Sequence, residues 1–379
     1  METSGRLPDT SISRRTLLAL GTGALLLPTA RAAQNHTLLL AAWQDRDDQH
    51  IGLLAMGQTT WSVQQSLKVP TRAHGLCREA DGHVLGVARR PGDWLLRWHP
   101  VSGRTQWHWI DTDRRFNGHV IASSDAQTLW TTETDLDSAQ GLLGLRDART
   151  LEKTDEWPTH GMDPHQLLAL PKAVGSFAAG TLMVANGGIP TLPETGRSKR
   201  ELGRMDSSLV ALHPATGALL GQWRLADPYL SIRHLAFDAS SGTLGIALQA
   251  EHPDKTGQTA APVLAVWDGR TLKAAGDQPA LAGYGGDICA LPGGGFAVSC
   301  PRKNMLALFE ANGAWRHAIV HRDAYALASA SDRWWLASSR AEAGLMHARS
   351  GLSTTLTLQP ETPAMGALQI DNHWLPFTV

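Results

Sequence analysis

Four histidines stand at the start of apolar, strand-like runs: Arg72-Ala73-His74-Gly75-Leu76, Asn117-Gly118-His119-Val120-Ile121, Asp163-Pro164-His165-Gln166-Leu167 and Ile232-Arg233-His234-Leu235-Ala236. Neutral imidazole is the commonest metal ligand and also carries protons near neutral pH, so histidines in equivalent places point to metal binding or proton transfer. The first three lie 45 and 46 residues apart, the period of a repeat architecture. The competing reading is structural, with ring nitrogens that only hydrogen-bond the loops of each repeat. No short metal motif such as HExxH occurs, so the case for a ligand set rests on the repeat register. His119, His165 and His234 are the metal-ligand candidates, and iron, copper and zinc are ions that suit imidazole. His74, Glu133, Asn186, Arg233 and Arg302 complete the wider set of candidate ligand-binding residues. His160, in the loop before His165, is a further candidate that, as a loop residue, reads better as solvated.

The elements that must position these side chains repeat with them. After His74, Ala80-Asp81-Gly82 leads to His83-Val84-Leu85-Gly86-Val87-Ala88, then to a Gly/Pro loop and to Trp94-Leu95-Leu96-Arg97-Trp98. Gly and Pro close each strand-like run. The second unit follows the same plan, with a loop read from Glu133 to Gln140. An outer turn recurs as His99-Pro100-Val101-Ser102-Gly103, His213-Pro214-Ala215-Thr216-Gly217 and Trp267-Asp268-Gly269-Arg270. Further units begin near Asp287, Tyr325 and Gly366. The sequence thus predicts an all-β, seven-bladed β-propeller of four-stranded antiparallel blades. The runs from His36 to Leu67 lack a first strand, which Gly366-Ala367-Leu368-Gln369-Ile370 is expected to supply, closing the ring and covering a sheet edge. Most of the fourteen tryptophans fall in strand-like runs and are expected to pack between sheets.

In such a meander the loop entering the innermost strand and the loop between the second and third strands share one face. That face gathers the four histidines with Arg89, Glu133, Asp135, Asn186, Glu251, His252, Arg302, Lys303, Arg340 and Glu342. The spacing from His165 to His234 stretches to 69 residues because the loop from Asn186 to Asp206 is expanded. A loop this long in a compact fold is usually functional or disordered; Arg197, Lys199, Arg200 and Arg204 make it a candidate anion-meeting lid. Cys289 and Cys300 flank Leu291-Pro292-Gly293-Gly294-Gly295-Phe296. A hairpin on those glycines would set the two opposite each other, as a disulfide or as buried thiols.

Ser13-Arg14-Arg15-Thr16-Leu17-Leu18, an apolar stretch to Leu27 and Ala30-Arg31-Ala32 read as a cleaved twin-arginine export signal over 1–32. The remainder, 33–379, reads as one propeller domain working in the periplasm, with no later integral membrane segment. Without the signal, 30 basic and 33 acidic residues remain, a balance that offers no electrostatic footprint for nucleic acid.

Several of these motifs together resemble a known family. They are His-Gly-Leu at 74–76, Gly-His-Val at 118–120, Thr-Thr-Glu at 131–133, His-Gly at 160–161, Pro-His-Gln-Leu at 164–167, Ala-Asn-Gly-Gly-Ile at 185–189, Ser-Leu at 208–209 and Ser-Ile-Arg-His-Leu at 231–235. The pattern resembles the domain of unknown function 1513 family. The resemblance implies a periplasmic propeller commonly encoded beside imelysin-like iron-uptake proteins and a di-haem peroxidase-like protein, and no established reaction. It also implies a loop histidine after the residue matching Thr191, where this chain has Leu192. A binding or accessory protein in metal acquisition is the preferred expectation. The alternatives are a lactonase-like, metal-dependent hydrolase in which Glu133 or a histidine moves the proton, and a docking platform with purely structural histidines.

Overall fold

A computed structural model describes residues 37–56, 60–190, 201–330, 334–339, 343–348, 353–357, 359–360 and 368–377. The expected export signal, the loop tip with Arg197, Lys199 and Arg200, the side chains of Arg340 and Glu342, and Leu192 fall outside them. Among the described residues no helix is long and apolar enough to cross a membrane.

Alternating turns and apolar runs fold as antiparallel meanders. Five four-stranded sheets span 73–109, 114–158, 164–223, 230–274 and 288–320. Middle strands such as Val84–Ala88, Leu182–Asn186 and Phe296–Cys300 are buried at every position, because each sheet is covered on both faces by its neighbours. Outer strands such as Thr105–Trp109 and Leu219–Trp223 are half exposed. Seven apolar clusters fill the spaces between sheets and include the fully buried Trp43, Trp94 and Trp267. Each buried Leu or Val contributes roughly 1.5–3 kcal/mol. The recurring outer turn has a mechanism: His99 Nδ1 accepts from Ser102 N (3.1 Å) and His213 Nδ1 from Ala215 N (3.3 Å). Asp147 and Asp268 cap equivalent turns with their carboxylates.

The innermost strands Ala73–Arg78, Arg114–Ala122, Pro164–Ala169, Leu230–Asp238, Ile288–Ala290, Ala324–Ala330 and Gln369–Phe377 each touch the next and close a ring. The fold is therefore a β-propeller of four-stranded antiparallel sheets. The expected seven blades are corrected to six. The sixth has nine strands, because Ala324–Ala330 pairs in parallel with Gln369–Phe377 at Leu327 and His373 and joins two antiparallel groups. The N-terminal group does take its missing strand from the C-terminal side. That strand is Gln369–Phe377, antiparallel to Thr37–Asp45; the expected run supplies its first two residues, Gln369 and Ile370.

Candidate metal centre

The histidines sit where the innermost strands slip out of register. Shifts fall between Ala73 and Leu76, Phe116 and Val120, Pro164 and Leu167, and Ile232 and His234. A bulge releases residues from the ladder and re-aims their side chains, here into the central channel. A similar slip on Gln369–Phe377, opposite Ala41 to Trp43, lies beside His373. Two glycines permit the crowding: a Cβ on Gly75 would lie 2.3 Å from Gly118 O, and one on Gly118 (φ +102°) 2.8 Å from His74 Cδ2. Side chains then fasten neighbouring inner strands. Thr132 Oγ1 donates to His165 O (3.0 Å), and Gln166 Oε1 accepts from Leu235 N (2.6 Å).

The side chains of His74, His119, His165 and His234 converge so closely that one nitrogen from each lies within 4.8 Å of the others. All four are buried. Nε2 of His165 stands 3.3 Å from Nε2 of His74 and 2.9 Å from Nε2 of His234. The ring of His373 joins them, its centroid 4.5 Å from that of His234 and 4.8 Å from that of His74. His373 Nδ1 is 3.0 Å from Asp287 Oδ1, while Asp287 Oδ2 accepts from Leu327 N (2.8 Å). His234, Asp287 and His373 form a second group of convergent donors. A cavity of 260 Å³ adjoins them, its wall including His119, Asp287, Cys289 and His373.

Hydrogen bonds among the described residues leave this packing only partly satisfied. A ring nitrogen has one in-plane valence, either an N–H or a lone pair, yet His165 Nε2 meets two imidazole nitrogens. Nδ1 of His74, His165 and His234 and Nε2 of His119 and His373 are buried without any hydrogen-bond partner. Burial pushes the proton affinity of His74, His119, His165 and His234 well below the ordinary imidazole value, and the neighbouring rings push it lower. The rings are therefore neutral and present lone pairs. Nitrogens bound to one ion at about 2.0–2.1 Å stand roughly 2.9–3.4 Å apart at bond angles of about 90–109°, which matches the two measured separations.

Other expected site residues are placed differently. Arg233 reaches the channel mouth, buried and 2.9 Å from Asp163, which Arg90 also pairs. Asn186 is buried at a strand end, donating to Thr159 O (2.9 Å) and Ser208 Oγ (3.3 Å). Arg302 lies over the Tyr284 ring at 4.5 Å and donates to Ala282 O. Glu133 is corrected from loop to strand, since Thr128–Asp135 continues past it. It is wholly buried against Arg146 (2.6 Å) and Lys153 (3.0 Å) and is absent from the convergent donor groups, so it is not poised as a base for them. The His160 backbone accepts from Gln222 and its side chain joins no donor group. Arg204 is exposed and pairs with Glu201. The cysteines are free: Cys289 faces Ala297 and Cys300 faces Met305, and burial raises both thiols' proton affinity.

His373 and Asp287 are the donors that sequence reading missed. A signal existed, since Asp371-Asn372-His373-Trp374-Leu375 repeats the Asp-x-His-x-Leu of Asp163-Pro164-His165-Gln166-Leu167.

A family model described as "Protein of unknown function (DUF1513)" matches residues 67–377. The chain belongs to this family. No curated protein matches this DUF1513 sequence. Among solved structures the DUF1513 propeller is similar to a streptogramin B lyase at 13% identity and TM-score 0.52, covering 78% of this chain and 86% of that one. It is similar to virginiamycin B lyase from Staphylococcus aureus at 11% identity and TM-score 0.53, covering 76% and 84%. A chain of the mitotic checkpoint complex matches at 12% identity and TM-score 0.51, covering 78% and 86%. At these identities the likeness concerns the propeller fold alone.

Proposed function

We propose that this DUF1513 protein is an exported accessory protein that holds a transition metal in its central channel, serving periplasmic acquisition of iron or another metal. His74, His119, His165, His234 and His373 would bind the ion. Asp287 would orient His373 as an outer-shell carboxylate, a standard partner of metal-binding imidazole. The observation that carries the reading is the meeting of three Nε2 atoms at 2.9 and 3.3 Å in a buried channel, with neutral rings and no hydrogen-bond scheme that satisfies them. Imidazole suits iron, copper, zinc and nickel. The proposed setting, beside imelysin-like and di-haem peroxidase-like proteins, follows from the family resemblance.

The test is metal analysis of the purified protein, stripped and then reloaded, beside a His119→Ala/His165→Ala variant. About one equivalent retained by wild type and almost none by the variant supports the reading. Equal retention by both removes it, and a metal-free wild type whose variant loses much stability favours structural histidines.

A further inference from the structure

Above the histidines, the channel mouth carries more cationic than anionic groups. Asp371 pairs with Arg72, and Arg89 Nη1 stands 3.9 Å from the same carboxylate. Asp163 is shared by Arg90 and Arg233. Arg302, over Tyr284, is a fifth guanidinium. Against these five stand Asp371, Asp163, Glu251, which acts on Arg233, and Asp287, already committed to His373 and Leu327. Arg89 Nη1 and Arg233 Nε are buried without a hydrogen-bond partner. Arg90, the residue after Arg89, shares Asp163 with Arg233, and both Arg89 and Arg233 act electrostatically on His234, so they flank one region of the channel.

Neutral imidazoles leave the charge of a bound ion uncompensated, and the arginines add to it. Unbalanced charge in a buried site is expensive, and a guanidinium fork matches a carboxylate in shape as well as charge. We propose that the mouth takes a small carboxylate-type oxyanion, gripped by Arg89 and Arg233, that accompanies the metal, so that the ligand of this site is a metal–anion pair. The inference rests on the metal-binding reading. The anion would come either from free carbonate or from a di- or tricarboxylate that delivers the metal as its chelate.

The experiment uses the stripped full-length protein in carbonate-free buffer, with and without one equivalent of Cu(II), titrated with bicarbonate, oxalate and citrate. Heat and the visible copper band are recorded for wild type and Arg89→Gln. The expected result is anion binding at least about tenfold tighter with copper than without, a shifted band, and a loss of about tenfold in Arg89→Gln with copper affinity nearly unchanged. Response to bicarbonate assigns the anion to free carbonate; response to oxalate or citrate alone assigns it to a chelate. Copper binding with no effect of any anion, or an unaltered Arg89→Gln, overturns the inference and leaves the metal reading standing. Failure of wild type to bind copper, iron or zinc removes both.

Discussion

At the scale of single residues, the central fact is that His74, His119, His165 and His234 are kept neutral by burial and by one another. Unfolded histidine takes up its proton near pH 6.5, so below that pH the unfolded chain binds more protons than the folded one. Stability therefore rises with pH through this window and is lost on acidification. The urea midpoint of the metal-free protein should be flat above about pH 7.5 and fall between about pH 6.5 and 5, with a shallower fall in His165→Gln; a midpoint unchanged across that range would contradict the neutral cluster. Asp287→Asn keeps an acceptor for Leu327 N but removes the charge beside His373. Competition against a chromogenic chelator should show metal affinity about 10–100-fold weaker.

Among elements, the bulged inner strands decide whether the rings meet. Gly118→Ala puts a Cβ against His74 at a backbone angle that side chains disfavour. It should cost about 1–3 kcal/mol in denaturant unfolding and weaken metal binding, since His74 must move. Glu133 makes the opposite case: Glu133→Ala strands Arg146 in the interior, a loss of about 3–5 kcal/mol, while the apparent metal affinity of the folded fraction stays unchanged. Retained stability with lost metal would return Glu133 to the site. These elements were unequally legible in the sequence. The 45- and 46-residue spacings carried three of the rings and the meander plan, because a repeat imposes equivalence, and the apolar run after His234 added the fourth. The register slips left no mark in composition, and Glu133 looked like a loop residue because an ion pair sealed between sheets has no sequence signature. His373 escaped because the closing strand was read three residues early and seven residues too short at its far end, which left His373 outside it.

For the whole molecule, the donors come from different sheets, so an ion would tie them together. At a hundredfold excess over its dissociation constant a metal adds roughly 2.7 kcal/mol. Calorimetry should therefore show a higher melting temperature with bound metal, reversed by a chelator and absent in the His119→Ala/His165→Ala variant. The seam of the ring has a consequence for biogenesis. His373 is synthesised 299 residues after His74, and it reaches the channel on the strand that docks beside Thr37–Asp45. Joining such distant residues is a loop closure that only the finished ring has already made. A nascent chain, or one clipped ahead of Gln369, holds four rings on an open array and lacks the fifth with its carboxylate-held orientation. Under the proposed metal reading, order of synthesis would set order of assembly: full-strength metal loading would follow the docking of the last strand, and occupancy would mark a completed molecule.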